Sequence, residues 1–551
     1  MDAKAKKTGQ SDKDTLSSSD IWKISQLETL YRQSRLFSWQ LRATPPQLPL
    51  PVIPDLWRGE AKIGAAIMQN MSPFAADTEQ FARFDWIRDL RDYGGADARI
   101  TARNMIDRWM QGHRHWSAMA WRPDIMGARL ANLIFTFGWF GQSADTAFQQ
   151  RIAAMIALQQ RCLALDWQRL YAPLDQLIAL KGLILSQLVQ MPATDNIRRK
   201  REISALFDLL ISKVKGQLNP DGGHRSRQAE IHLDLLKLLI ECRSVTSPLG
   251  ITDLPVMDDM IEKMATMTKL WRDGSGRFAH FHFAGASSAE QIEQVLSRCN
   301  AKGRIAQHAP DTGFARLSAA RNTLIVDTGQ ISDTPAFKGR YKDSLHSAAS
   351  RLAFEFCVGA APFIVNTGQA TSEPRLRRAF SQTAAHSALT LDGLDNQQRD
   401  TRTVHFDIGP ADGGVLMQAS HDGYVKSHGI LHSRQLFLSR DGNNLRGSDQ
   451  LNYSGAPGQI PVEVIIRFHL HPQVSAARVK SRQILLKIHG QKNGWLFKCR
   501  GAETALDRSV YLDGRRRSSC QQIILRCPAS QIQTKGSLTI NWAFSRHSSP
   551  K

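Results

Sequence analysis

The side chains able to move protons near neutral pH fall in a few stretches rich in histidine and arginine. His224, Arg225, Ser226 and Arg227 follow a Gly-Gly turn in DGGHRSRQAEIHLDLLKLL, Asp221 to Leu239. A helical pattern begins at once, with His232, Leu235, Leu236 and Leu239 at i, i+3, i+4 and i+7. This places a cationic group at a helix mouth, where free N–H groups and the positive dipole end favour a bound anion; an ordinary polar helix entry has the same appearance. His346 in YKDSLHSAASRLAFEF and His386 in TAAHSALTLDG each stand just ahead of a strand-like run. His421 and Tyr424 lie in HDGY, with His432 and Arg434 soon after. His469 and His471 in FHLHP share one face of a strand, a spacing that can hold a metal but that packing explains more often. Histidine and tyrosine suit general acid and base roles, and arginine suits neutralising an anion. No P-loop, strand-borne GxGxxG, HExxH or GxSxG is present, so nucleotide, zincin and serine-hydrolase chemistries have no motif to stand on.

Two kinds of element must position these groups. From about residue 79 to 272 the apolar spacing is helical almost throughout, giving some eight amphipathic helices with short connections. FDWIRDLRDYGG ends on a glycine pair, as a helix C-terminus does, and Pro123 opens WRPDIMGARLANLIF where its missing N–H is harmless. An earlier helix is expected over IWKISQLETLYRQSRLFSWQLR, followed by the extended proline-rich connector PPQLPLPVIPDLW. Near Gly274 the texture changes. GSGRFAHFHFAG alternates as a strand does, a loop is expected over about 284–312, and period-two segments such as TLIVDTG, RLAFEFCVG, PFIVNTG, PVEVIIRFHLHP and SLTINWAF then recur with glycine turns between them. The pattern predicts an α+β chain: a tail over 1–20, a helical domain over 21–308 and an antiparallel β-sandwich over 309–551.

The chain of 551 residues carries 71 Lys and Arg against 50 Asp and Glu, a formal net charge of +21. Such an excess favours polyanionic partners: nucleic acid, anionic membrane or acidic polysaccharide. Nucleic acid ranks low, because no recognisable nucleic-acid module is present. The basic runs RRKR (Arg198 to Arg201) and Arg515 to Arg517 read most simply as solvated faces. Seven scattered cysteines without a CxxC pair argue against a disulfide framework or a cysteine zinc site. The first twenty residues are polar, with no apolar core of a secretory signal, and no apolar run reaches membrane-spanning length.

The ordered series FDWIRDLRDYGG, WRPDIMGARLANLIF, DGGHRSRQAEIHLDLLKLL, GFARLSAARNTLIVDTG, RLAFEF…FIVNTG, TAAHSALTLDG and FHLHP…VYLDG resembles the heparinase II/III-like polysaccharide lyases across roughly residues 79–527. The resemblance implies an incomplete α/α toroid followed by an antiparallel β-sheet domain, with a substrate cleft between them. It implies β-elimination on a uronate-bearing glycan such as a glycosaminoglycan, in the cell envelope or periplasm; with no signal visible, the cytoplasm is the alternative. On this reading His224, His346, His386 and Tyr341 are the candidate catalytic residues, and Arg225, Arg227 and Arg378 the candidate substrate-binding ones. No cofactor or resident metal is expected, and the partner is an acidic polysaccharide. Departures from the lyase pattern are visible. There is no tyrosine between Tyr171 and Tyr341, where the family carries its toroid tyrosine. Counting back six residues from Phe354, where the family places a histidine, gives Ala348, and Asn366 stands where some members carry a metal-binding aspartate. The second reading is therefore a catalytically altered glycan-binding or envelope-assembly protein.

Overall fold

A computed structural model describes residues 24–69, 78–190, 197–246, 255–299, 303–329, 348–368, 374–396, 401–455, 458–459, 461–480, 483–514 and 516–547. The expected tail over 1–20, Tyr341 and His346 lie outside the described residues. One compact unit holds the described residues up to 213, and a second holds those from 214 onward.

The first unit is helical. Its central helix, Pro123–Phe140, starts with proline in the first turn and is buried on nearly every side. It crosses Pro173–Val189 at two glycines: a Cβ on Gly182 would lie 2.4 Å from the Gly127 Cα, so the two backbones meet where neither residue has a side chain. The buried Arg129 donates to the carbonyls of Ala82 (2.8 Å) and Ala120 (2.9 Å), and to Gln159 Oε1. Burial lowers its pKa to about 9. Its guanidinium also lies 4.2 Å from the Trp109 ring centroid. Where one helix is expected over residues 21–42, two short ones form, Gln26–Gln33 and Arg35–Gln40. They break at Ser34, whose hydroxyl accepts from the Phe37 N–H and so caps the second helix.

The second unit begins with the helices Ala229–Ser244 and Pro255–Trp271. The segment 278–285 departs from the alternation of GSGRFAHFHFAG. An isolated bridge joins Arg272 to Phe278, and the chain then turns through His282 and Phe283, both left-handed at φ 49° and 67°. The alternating residues are all buried, which a turn folded into the interior achieves as well as a strand does. The expected loop over 284–312 contains a helix, Ala289–Leu296, opened by a reciprocal capping box between Ser288 and Gln291.

Seventeen strands follow among the described residues. The first six are β1 (His308–Ala309), β2 (Phe314–Ala319), β3 (Asn322–Asp327), β4 (Phe354–Val358), β5 (Ala361–Val365) and β6 (Leu389–Leu391). Next come β7 (Thr403–Ala411), β8 (Gly414–Tyr424), β9 (Ile430–Ser439), β10 (Asn444–Tyr453), β11 (Glu463–Leu470) and β12 (Val474–Lys480). The last are β13 (Gln483–Ile488), β14 (Gly494–Arg500), β15 (Glu503–Asp513), β16 (Arg516–Pro528) and β17 (Ser537–His547). One sheet runs β1-β2-β3-β4-β5-β11-β16-β15, with β6 also on β11, and the other runs β12-β13-β14-β17-β10-β9-β8-β7. Their inward residues share one core, in which Trp542 lies 4.7 Å from Phe468 and stacks on Phe354 at 5.6 Å between ring centroids. The expected order, helices and then an antiparallel two-sheet domain, is the order found. Among the described residues no helix is long and apolar enough to cross a membrane.

Candidate functional site

The loop Gln217–Gln228 is a tight hairpin leading into the Ala229–Ser244 helix, closed by Arg225 N–H to Gln217 O (2.9 Å) and Asn219 N–H to Gly223 O (2.8 Å). Asp221 ties it to the start of the sheets by accepting from Thr312 N–H (2.7 Å) and the Thr312 hydroxyl (2.5 Å). His224 points inward and is fully buried. Its Nδ1 accepts from the Ser226 N–H at 3.1 Å, so the ring proton sits on Nε2, which donates to Gln217 Oε1 at 3.3 Å. Burial, with smaller contributions from His232 and Arg225, pushes its pKa down to about 3. His224 is thus a neutral ring with both nitrogens engaged.

Arg227, left-handed at φ 60°, turns back into the protein. Its Nε donates to Thr312 O (2.8 Å), and its Nη2 to Gly313 O (3.0 Å) and to Asp327 Oδ1. The guanidinium also lies over Phe314, 4.9 Å from the ring centroid. Gly329 makes room for it: a Cβ there would strike the guanidinium at 2.4–2.7 Å. Asp327, at the end of β3, is the centre of the cluster. It also accepts from Gly329 N–H (3.0 Å) and the Ser350 hydroxyl (2.6 Å), while His282 Nε2 stands 3.1 Å from Oδ2 without the direction of a hydrogen bond. Burial alone would raise the Asp327 carboxyl, but Arg227 and His282 outweigh it and hold it well below the usual carboxylate range. Burial and Arg227 push the His282 ring below its ordinary value against the pull of Asp327.

His386 belongs to the same buried region. Burial, then the neighbouring His282 and His469, take its pKa to about 3, with Asp327 opposing. The Phe380 carbonyl favours the protonated ring slightly, but neither ring nitrogen makes a hydrogen bond of normal geometry. Asn366 is also buried with its Nδ2 unbonded, while its Oδ1 accepts from Ser387 N–H at 3.3 Å. Beside it, burial raises the Glu355 carboxyl to about 8 despite donation from the backbones of Asn366 and His280, so Glu355 is protonated at neutral pH.

The structure thus brings Arg227 and His386 to one Asp327-centred cluster, with His224 on the adjoining loop. Arg225 is half-buried and its Nε donates to Leu218 O at 3.3 Å. Arg378 is exposed on the helix Pro374–Ser381. The other histidines named from the sequence are packed. His421 Nε2 donates to His432 Nδ1 (2.9 Å), and His432 Nε2 donates to Asp449 (2.9 Å), which also accepts from Arg434 Nε (2.7 Å) and Trp542 Nε1 (2.9 Å). The Tyr424 hydroxyl donates to Leu389 O at 2.8 Å. His469 bonds Ser509 and Ala384 O, and His471 meets Tyr511 edge-on at 4.9 Å between ring centroids. Sequence reasoning missed Asp327, His282, Ser350 and Glu355. The HFHF run was the available signal for His282, because two histidines between glycines sit oddly in a plain strand.

Asn366 offers a neutral amide, and among the described residues no three His, Cys, Asp or Glu are placed to hold an ion.

Residues 301–543 match the family model described as Heparinase II/III-like, C-terminal. That part of the chain belongs to the heparinase II/III-like family. The chain is also similar over most of its length to FtsZ-localized protein C of Caulobacter vibrioides, at 24% identity over 505 residues covering 86% of this chain and 83% of that protein. In fold it is similar to a heparinase III, with a TM-score of 0.68 at 10% identity over 94% of this chain and 89% of the other. A heparan sulfate lyase mutant from Pedobacter heparinus gives a TM-score of 0.62 at 13% identity, over 93% and 86% of the two chains.

Proposed function

We propose that this member of a polysaccharide-lyase fold is catalytically altered, and that it binds acidic glycan in envelope assembly at the site of cell division. The observation that carries the reading is the state of Arg227. β-Elimination on a uronate calls for an Arg, His or Asn donor still available to the substrate carboxylate, so that the developing enolate is stabilised. The Arg227 guanidinium instead ends on Asp327 and two backbone carbonyls in the protein interior. A general base works best with a pKa near the operating pH, and the two described candidates, His224 and His386, are held near 3. The toroid tyrosine of the lyases has no counterpart between Tyr171 and Tyr341. The full-length similarity to a protein named for its localisation with FtsZ supports the division setting, and favours the cytoplasmic alternative over the periplasm.

The lyase reading keeps one observation of its own: His386 and Asn366 present unbonded nitrogens in the same buried region. Incubating the protein with polygalacturonate, alginate, hyaluronan and heparan sulfate separates the two. The altered-chemistry reading expects no unsaturated ends absorbing in the near ultraviolet, and expects a fluorescent fusion to gather at the division plane with FtsZ. Unsaturated product that disappears in His386→Ala would restore the lyase.

A further inference from the structure

The outer face of the second sheet carries a feature that the lyase resemblance does not use. Residues paired across antiparallel strands point to the same face, so the register aligns them in rows. One row runs Leu416, Phe437, Arg446, Ala543, Lys498 across β8, β9, β10, β17 and β14. The next runs Gln418, Gln435, Ser448, Asn541, Arg500 across the same strands. The strand between the cations, β17, carries only short side chains outward here, Ala543 and Asn541. The long cationic chains stand on its two neighbours, β10 and β14, two strand spacings or about 10 Å apart. The result is a trough along β17 with a cavity of about 510 Å³, floored by Asn541 and Ala543 and walled by Arg446, Lys498 and Arg500. All three cations are exposed, and among the described residues none makes an ion pair with a carboxylate. The acidic side chain on these two rows is Asp407, opposite Gln418. It is four strands from Asn541, roughly 19 Å at the usual strand spacing, beyond the screening length of ordinary salt.

We propose that this trough binds an acidic glycan chain lying along β17. Charge complementarity calls for a polyanion. The position of the trough selects which kind. β10, β17 and β14 are each already paired on both sides, so an acidic peptide has no edge to join and would leave its own backbone groups without ladder partners. A sugar chain needs only side-chain donors and acceptors, which Gln435, Ser448 and Asn541 supply, while the partly exposed Phe437 with Arg446 over it (5.5 Å) offers a sugar face an apolar wall. The proposal rests on the glycan-binding reading above and locates it away from the Asp327 cluster.

The test uses the full chain and defined polymers. Oligogalacturonate is titrated calorimetrically, with poly-glutamate and neutral dextran beside it. The wild type binds oligogalacturonate, more weakly as salt rises, and binds poly-glutamate less well and dextran not at all. Arg446→Ser, Lys498→Ser and Arg500→Ser together weaken oligogalacturonate by about tenfold or more. Ala543→Trp does the same by filling the floor with no change of charge. Removing three exposed cations of the other sheet, Arg508→Ser, Arg516→Ser and Arg517→Ser, changes affinity by less than about twofold. Equal loss in that control, unaltered binding by Ala543→Trp, or tighter binding of poly-glutamate overturns the trough while wild-type glycan binding stands. No wild-type binding at all removes both.

Discussion

At the scale of single residues the decisive pair is Arg227 and Asp327, one hundred positions apart and both shut away from solvent. Arg227 was legible as a functional candidate because it stands in a histidine-bearing loop at a helix mouth. Its commitment to Asp327 was not, because TLIVDTG reads as any strand ending in a turn and no local pattern announces a partner so distant. Breaking a buried pair leaves an uncompensated charge, whereas replacing both members by apolar groups of similar volume is often tolerated. Asp327→Asn is therefore expected to cost about 3–5 kcal/mol of unfolding free energy in urea. The double change Arg227→Met with Asp327→Leu should recover much of that loss. A single Asn variant as stable as wild type would show that the pair does not hold the loop. Recovery by the double variant would mark the pair as scaffold, in keeping with the altered chemistry proposed above.

At the scale of elements, the sequence was most readable where one periodicity ran uninterrupted. The helices from Trp86 to Trp271 and the strands from β2 onward announce themselves because their apolar residues recur at the spacing of a helix or of a strand. It was least readable where a short stretch served two demands. The HFHF run keeps every residue buried by turning left-handed at His282 and Phe283, and burial alternation cannot reveal that. The helix at Ala289 was available from its Ser288 and Gln291 caps. WRPDIMGARLANLIF gave its helix clearly but not the reason for Gly127, which lies in the crossing with Gly182. Gly182→Ala places a methyl group against a backbone that cannot move aside. It is expected to lose about 1–3 kcal/mol by overpacking, more than the ~1 kcal/mol that alanine gains in a helix. Thermal denaturation of that variant checks the claim, and a melting point at or above wild type would mean the helices are not in backbone contact there.

At the scale of the whole molecule, the net charge of +21 and the buried histidines both bear on acid stability, and they can be told apart. His224 and His386 have folded pKa values near 3, and His232, His280 and His469 near 4, in each case chiefly through burial. A histidine depressed in this way is neutral when folded, so below its unfolded pKa of about 6.5 the unfolded chain binds the extra proton. Stability is then complete above about pH 6.5 and falls as pH drops towards the folded values. Each such histidine costs ~1.4 kcal/mol per pH unit within that window. Two of them already amount to ~3 kcal/mol per unit, against a total of about 5–15 kcal/mol for a typical domain. The second unit, which holds all five, is therefore expected to lose most of its stability between pH 6.5 and 5. Asp327 and Asp449, both held below the ordinary carboxylate range, add losses of the same sign only at lower pH. Repulsion among surface cations also grows in acid, but salt screens it, whereas the protonation of a buried ring is little affected by salt. Calorimetric melting at pH 7.5, 6 and 5, in low and in high salt, separates the two causes. A fall in melting temperature that persists in high salt, and is shallower in His224→Gln, points to the buried rings. A melting temperature independent of pH, or a fall abolished by salt, would mean that these rings are reached by water, and Arg227 and His386 would then have to be reconsidered as groups a substrate can meet.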